Sequence, residues 1–259
     1  MERRTFVQAS LASACALAAG SASADEKTTS TELYEWRIYT LKPAKMPVLD
    51  AYLKDAFIPG CKRAGCGPVG VFAEPATAEA VRVHVLVVHP NGASAAGLAA
   101  KLAGDAEYLK AGKEYLEAKA ADPVYARIES SLLAAIEGMP KLARPDVSKA
   151  RLLNLRVYES HNERANAKKI EMFNTGELGI FRKDGLTPVL FGQSLVGSAL
   201  PNLTYLLVFP DDDARKAAWD KFRADPEWIK LKSIPEYADK EIVSKITNVL
   251  LTPAKYSEV

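Results

Sequence analysis

The chain has 259 residues, room for one large domain or two ordinary ones. With 48% hydrophobic and 25% charged residues it has a globular composition, neither disordered nor fibrous. Its 34 basic and 32 acidic residues leave a net charge of +2, which argues against a nucleic-acid partner, and 3 histidines leave little material for a multi-metal site.

The chain begins with Arg3-Arg4-Thr5-Phe6, followed by an apolar run from Phe6 to Ala19 that is too short to span a bilayer, where about 20 residues are needed. Ala22-Ser23-Ala24 supplies the small residues of a peptidase site. The arrangement resembles a twin-arginine (Tat) export signal, cleaved after Ala24, although an ordinary secretory signal could also carry two arginines. Cys15 is not read as a lipid-anchor site, because Ala12 stands where leucine is preferred. The mature chain would then start at Asp25, carry 32 basic and 31 acidic residues, have no transmembrane segment and be periplasmic or secreted.

Two cysteines remain in that chain, Cys61 and Cys66, in the Gly-rich stretch Pro59–Gly67. Gly65 and Gly67 could bend the chain enough for a disulfide, whereas a continuous helix would point the two side chains apart. Two cysteines without a nearby histidine do not make a zinc site.

The mature sequence repeats itself. Arg82–Asn91 (RVHVLVVHPN) is echoed 120 positions on by Asn202–Asp211 (NLTYLLVFPD), and Lys101–Lys110 by Lys221–Lys230 at the same offset. Glu35–Tyr39 is echoed by Asn154–Tyr158, one residue out of step. In chain order, the first half predicts a strand over Leu33–Leu41, an amphipathic helix over Pro43–Ala64 and a strand after Pro68. An apolar strand over Val81–Val88, a second helical region and a last strand follow. The second half predicts the same series: Leu152–Glu159, His161–Lys183, a strand after Pro188, Leu203–Phe209, a helical region and a strand. Ser160 and Glu163 have the spacing of a capping box, Asp225-Pro226 that of an N-cap, and Asp211–Asp213 reads as acid at a helix start rather than a metal site.

The order βαββαβ is the ferredoxin-like split unit. The fold class expected is α+β, with two tandem ferredoxin-like units packed sheet-to-sheet as an intramolecular α+β barrel. The expected boundaries are 1–24 for the signal, 25–138 for the first unit, 139–150 for a linker and 151–259 for the second unit.

The segments Tyr34–Leu41, Arg156–His161, Lys169–Asn174, Leu186–Val189, Pro201–Tyr205 and Asp225–Trp228 resemble the NIPSNAP family of the dimeric α+β barrel superfamily. The likeness is tighter in the second half. In the first, a Gly/Ala-rich stretch replaces a stronger helix and Ala106 stands where the pattern has proline. The resemblance implies the barrel fold and supplies no catalytic set. Homo-oligomerisation is a candidate assembly.

Strand alternation then selects candidate site residues. Tyr34, Trp36 and Ile38, matched by Leu153, Leu155 and Val157, read as the helix-packed face, as do Val83, Val85, Val87, Leu203, Tyr205 and Leu207. The opposite face, expected to line the barrel lumen, carries Glu35, Arg37, Tyr39 and His84 in one half and Asn154, Arg156 and Tyr158 in the other. Such a lumen suits a small polar or anionic ligand, with the arginines holding the anion and the tyrosines donating hydrogen bonds. These groups could equally satisfy one another as structure. His161, at a helix start, is the candidate haem ligand, with an exposed surface residue as the plainer reading; Glu171 and Asn174 share a helix face. No phosphate-binding loop, nucleophile elbow, zinc motif or calcium loop is present, and the cofactor, haem or metal included, is left open by the sequence. The alternative to a ligand-binding barrel is a non-catalytic scaffold whose lumen is filled by its own side chains.

Overall fold

The structure, a computed structural model, describes residues 31–259. The export signal expected over residues 1–24 lies outside the described residues. Strands β1 (Leu33–Leu41), β2 (Val69–Ala73), β3 (Val81–His89) and β4 (Arg127–Ala135) come from the first half. Strands β5 (Leu152–Glu159), β6 (Thr187–Val196), β7 (Asn202–Phe209) and β8 (Lys245–Pro253) come from the second. They close into one antiparallel barrel in the order β1-β3-β2-β8-β5-β7-β6-β4. Each half contributes a β4-β1-β3-β2 type sheet, the ferredoxin-like order, and the two sheets join at β2·β8 and β4·β6. Closure pairs the edges that each sheet would otherwise expose.

The helices cover the outside. A long helix follows the first strand of each half: α1 over residues 43–63, and its counterpart over residues 163–184. Both contain a π-helical turn, at Tyr52–Phe57 and Phe173–Glu177. The second helical region is α2 (Gly92–Ala103), α3 (Ala106–Ala111) and the short α4 (Lys113–Leu116) in the first half. In chain order the second half then has α5 (residues 163–184), α6 (Asp212–Ala224), α7 (Pro226–Lys232) and the one-turn α8 (Asp239–Ile242). The helix starts follow local side-chain chemistry. Asn91, Asp105, Asp211 and Asp225 each accept backbone N–H groups at their helix N-termini, and Pro226 takes the first helical position. At α5 the expected box is not formed: Asn162 caps the helix by accepting from the Ala165 amide, while Ser160 Oγ donates to the Ile242 carbonyl.

Three apolar layers result. Helix–sheet layers form in each half, one around Leu53, Phe57 and Val85, the other around Phe173, Phe181 and Tyr205. The third layer fills the barrel, and it draws on both halves: Tyr34, Trp36, Phe72 and Leu86 from one, Leu153, Leu155 and Leu206 from the other.

That third layer corrects the expected facing of β1 and β5. Residues directly opposite on antiparallel strands share a face. Trp36 lies opposite Leu86 and Ile38 opposite His84, whereas Glu35, Arg37 and Tyr39 lie opposite Val87, Val85 and Val83, which pack under the helices. Tyr34, Trp36, Leu153 and Leu155 are therefore lumen residues. Glu35, Arg37, Tyr39, Asn154, Arg156 and Tyr158 lie on the helix-covered face. Of the seven lumen candidates, His84 is the one inside the barrel. The physical reason is that both faces of the sheet are buried, so a more polar face is not a sign of which side closes on itself.

Candidate functional site

The two helix–sheet interfaces use the displaced candidates differently. In the first half, Arg37 Nε donates to Glu35 Oε1 at 2.6 Å, and its guanidinium lies 5.0 Å from the Phe57 ring centre. Glu35 Oε2 is 3.2 Å from His89 Nε2, His89 Nδ1 is 3.1 Å from Ser94 Oγ, and Ser94 Oγ is 3.4 Å from Cys66 Sγ. One donor order satisfies the whole chain: Cys66 donates to Ser94, Ser94 to His89, and His89 to Glu35. Burial pushes the Glu35 carboxyl up, but the hydrogen bonds from His89 and Arg37 outweigh it and hold the group down at about 2. The network is closed upon itself.

Cys61 and Cys66 are both free thiols and buried, and the Cys66 amide donates to the Cys61 carbonyl across Gly65, which has φ +79°. That is a glycine-terminated helix end. The disulfide that the bend made possible is not formed here, and burial pushes the Cys61 thiol up.

In the second half Asn154 stands where the first has Glu35. Its Oδ1 accepts from Trp219 Nε1 at 3.4 Å and its Nδ2 donates to Asn248 Oδ1 at 2.7 Å. Arg156 is thus left without an ion-pair partner among the described residues. Its Nη1 donates to Asn248 Oδ1 at 3.3 Å and its Nη2 to the Tyr158 hydroxyl at 3.2 Å, while its buried Nε finds no acceptor. The guanidinium lies 4.5 Å from the Trp219 ring centre and 5.3 Å from that of Tyr158. The Tyr158 oxygen also accepts from Tyr205 at 2.9 Å, so its lone pairs are occupied and its own proton is free to be given outward.

Arg156, Tyr158 and Trp219 form the inner wall of a cleft of about 540 Å³ between the sheet and α6–α8. Its rim adds Arg215, Lys216, Arg223 and Lys232 against Asp220 and Asp239, so the lining carries an excess of positive charge. Arg215 and Lys216 are held by Asp212 and Arg223 by Asp220, whereas Lys232 reaches over Trp228. Beneath the cleft, Lys169 and Glu177 form a 2.9 Å ion pair that is almost wholly buried, with Lys169 Nζ also 4.8 Å from the Phe173 ring centre. Burial pushes the Glu177 carboxyl up despite Lys169.

The rim cations were not singled out from the sequence. The repeat itself carried the signal: at the offset of 120, Arg215, Lys216 and Trp219 stand opposite Ala95, Ala96 and Ala99.

The remaining candidates fall elsewhere. His84 is buried in the lumen, accepting from Trp36 Nε1 on Nδ1 at 3.0 Å and donating from Nε2 to Glu74 at 2.8 Å, with burial pushing its pKa down. His161 is exposed on a surface groove whose charged residues are Arg164, Lys168, Glu236, Lys240 and Glu241. Those charged walls do not fit a porphyrin, which needs apolar faces above and below its ring. Glu171 pairs with Lys168 and accepts from Tyr237, and Asn174 accepts from the Gly138 amide, so neither faces a cleft as a free group.

A NIPSNAP family model matches residues 153–258. Over those residues the second half is similar to the NIPSNAP domain. The cleft lined by Arg156 and Tyr158 lies within the matched region. No curated protein matches the chain. Among solved structures, a "putative monooxygenase" from Fusobacterium nucleatum is 9% identical with a TM-score of 0.59, covering 87% of this chain and 93% of that one. Another, so described, from Lactobacillus acidophilus is 11% identical with a TM-score of 0.57, covering 86% and 94%. An anthrone oxidase-like protein is 8% identical with a TM-score of 0.54, covering 87% and 92%. At these identities the likeness is one of fold: the tandem barrel is shared over nearly the whole chain. No helix among the described residues is long and apolar enough to cross a membrane.

Proposed function

We propose that the second half binds a small anionic molecule in the cleft between its sheet and α6–α8. The observation that carries this reading is the unpaired Arg156, whose repeat counterpart Arg37 is neutralised by Glu35. Arg156 would clamp the anion, the free Tyr158 proton would supply a second donor, and the Trp219 face would take a planar body. The same two donors could stabilise negative charge that develops during a reaction, with Tyr158 as the proton donor. A scaffold role is less well supported, because a cavity of ligand size sits at Arg156. The names of the structural neighbours supply no reaction at their low identity.

The test is native purification with mass spectrometry of whatever co-purifies, then calorimetry with that molecule, phosphate and benzoate on Arg156→Ala and Arg37→Ala proteins. Loss of a charge-assisted hydrogen bond should weaken binding about 10- to 100-fold in Arg156→Ala and leave Arg37→Ala unchanged. Equal binding in Arg156→Ala would refute the assignment.

We also infer that residues 1–24 are a twin-arginine export signal, that the two units run over 25–138 and 151–259, and that the protein is exported folded, to be periplasmic or secreted. The motif Arg3-Arg4-Thr5-Phe6 supports the route. Replacing both arginines by lysine should retain full-length protein in the cytoplasm, and the exported form should start at Asp25 by mass.

A further inference from the structure

The barrel lumen is not filled along its whole length. Phe72, Leu86, Leu153 and Leu206 pack its lower part, and Trp36 stacks on Phe72 with ring centres 6.0 Å apart. Above Trp36, Leu133 and Leu155 a cavity of about 240 Å³ opens toward the β6–β7 turn. It is separate from the Arg156 cleft: the two lie on opposite faces of β5, and they share no lining residue. An apolar cavity of about 150 Å³ is enough to admit benzene, so this one has room for a single substituted ring.

The lining determines what kind of molecule would be retained. Trp36, Ile38, Leu133, Leu155 and Val157 make apolar walls. The two charged residues at the mouth, Glu159 and Lys245, pair with each other at 3.1 Å, so neither is left to attract an ion. The buried polar end is Ser194, Asn202 and Thr204. Asn202 Oδ1 accepts from Ser194 Oγ at 2.7 Å and from Thr204 Oγ1 at 2.9 Å, while its Nδ2 donates to the carbonyls of Ala199 and Ser198. Every donor of this trio is spent within the protein. What Ser194 and Thr204 still offer is oxygen lone pairs, so a guest that seats its polar end on them must bring its own proton; the hydroxyls of Ser131, Ser198 and Thr247, which also line the cavity, can donate back to its oxygen.

We propose that the lumen is a second binding site, for a neutral ring-sized molecule bearing one hydroxyl donor, a phenol or an alicyclic alcohol. The hydroxyl donates to Ser194 or Thr204 and the ring lies against Trp36 and Leu155. The register supports this placement. Val157, Thr204 and Thr247 are cross-strand neighbours at one level of the lumen, with Leu155, Leu206 and Val249 the next level down. A hydroxyl at the Thr204 level therefore puts the body of the guest on the apolar level beneath.

The test uses the full chain with p-cresol, toluene and benzoate as probes, followed by calorimetry and by tryptophan fluorescence compared between the protein and its Trp36→Phe variant. Saturable p-cresol binding is expected, with toluene weaker by about three- to tenfold and benzoate not bound in the lumen. Thr204→Val and Ser194→Ala should each bring p-cresol toward the toluene affinity without changing that of toluene. Val157→Phe, which fills the cavity from its side, should abolish binding of both neutral probes while leaving the Arg156-dependent anion affinity unaltered. If Val157→Phe does not fold, the two hydroxyl variants and the p-cresol/toluene ratio decide alone. Equal affinity for p-cresol and toluene, p-cresol binding that survives Val157→Phe, or no saturable p-cresol binding overturns the proposal.

Discussion

The two repeats keep the same supports and spend their interior polar positions differently. Asn91 and Asp211 cap the equivalent helices α2 and α6, and Asp105 and Asp225 the equivalent helices α3 and α7. The partners are matched as well, Arg63 with Asp105 and Lys183 with Asp225. Gly65 and Gly185 take the same left-handed turn, at φ +79° and +86°. Against that common frame, Glu35 and Arg37 close on each other in the first repeat. Asn154 leaves Arg156 open in the second. The helix above each arginine follows suit: α2 is a run of Gly and Ala, whereas α6 brings Arg215, Lys216 and Trp219 to the cleft. A duplicated fold can thus hold one copy as support while the other keeps a usable charge, because a single carboxylate decides whether the arginine is already satisfied.

The largest expected effect concerns the depth of the charge pairs. Lys169 and Glu177 are 1% and 2% exposed, whereas Arg37 and Glu35 are 21% and 17% exposed. Glu177→Ala leaves a buried lysine unpaired and should cost about 3–5 kcal/mol. Arg37→Ala should cost about 2 kcal/mol, since solvent takes up part of the loss. Denaturant unfolding of both variants measures the difference, and equal costs would show that the two interfaces are equally wet.

Acid should separate the repeats next. Glu35 titrates from about 2 in the fold against 4.5 unfolded, so its contribution is complete above about 4.5 and disappears as the pH falls toward about 2. The difference is on the order of 3 kcal/mol. His84 acts in the same direction, because its folded pKa lies below the ordinary 6.5 and its contribution is lost as the pH falls. Glu177 has the opposite sign: raised by burial, it favours the folded state more as acid is added. Amide exchange between pH 5 and 2 should therefore show the first repeat losing protection before the second, and Glu35→Gln should flatten that dependence. Simultaneous loss in both repeats would contradict the assignment.

The most local comparison, read on binding rather than on stability, comes from exchanging the deciding residue. Asn154→Glu should rebuild the Glu35–Arg37 pair around Arg156 and weaken anion binding about 10- to 100-fold, with some loss of stability because the Asn154 amide no longer donates to Asn248 and the Val249 carbonyl. The reverse exchange, Glu35→Asn, should not create an anion site, because Ala95, Ala96 and Ala99 stand where Arg215, Lys216 and Trp219 complete the cleft. Calorimetry with phosphate and benzoate checks both.

Much of the architecture was legible because local chemistry and repetition agree. The strand bounds Leu33–Leu41 and Leu152–Glu159, the long helices, and the caps at Asp211 and Asp225 follow from alternation, periodicity and short polar side chains. The capping of α5 was misread by two residues, since Ser160 finds a tertiary acceptor, the Ile242 carbonyl, that no local pattern announces. The candidate site was half legible. Arg156 and Tyr158 were among the candidates that strand alternation selected, but were assigned to the lumen, although they face the helices.

By itself, then, the sequence determined two repeats of a βαββαβ unit, because hydrophobic periodicity and turn chemistry are properties of neighbouring residues; the barrel was an expectation drawn from two open sheet faces and from the family resemblance. Which face of β1 and β5 closes on itself was decided only in three dimensions. Cross-strand register binds Arg37 to Val85 and Trp36 to Leu86, and a strand with both faces buried carries no local mark of which is inside. Tertiary structure also decided which arginine stays free. That depends on whether a carboxylate, or an asparagine already holding Trp219, reaches the same few ångströms of space.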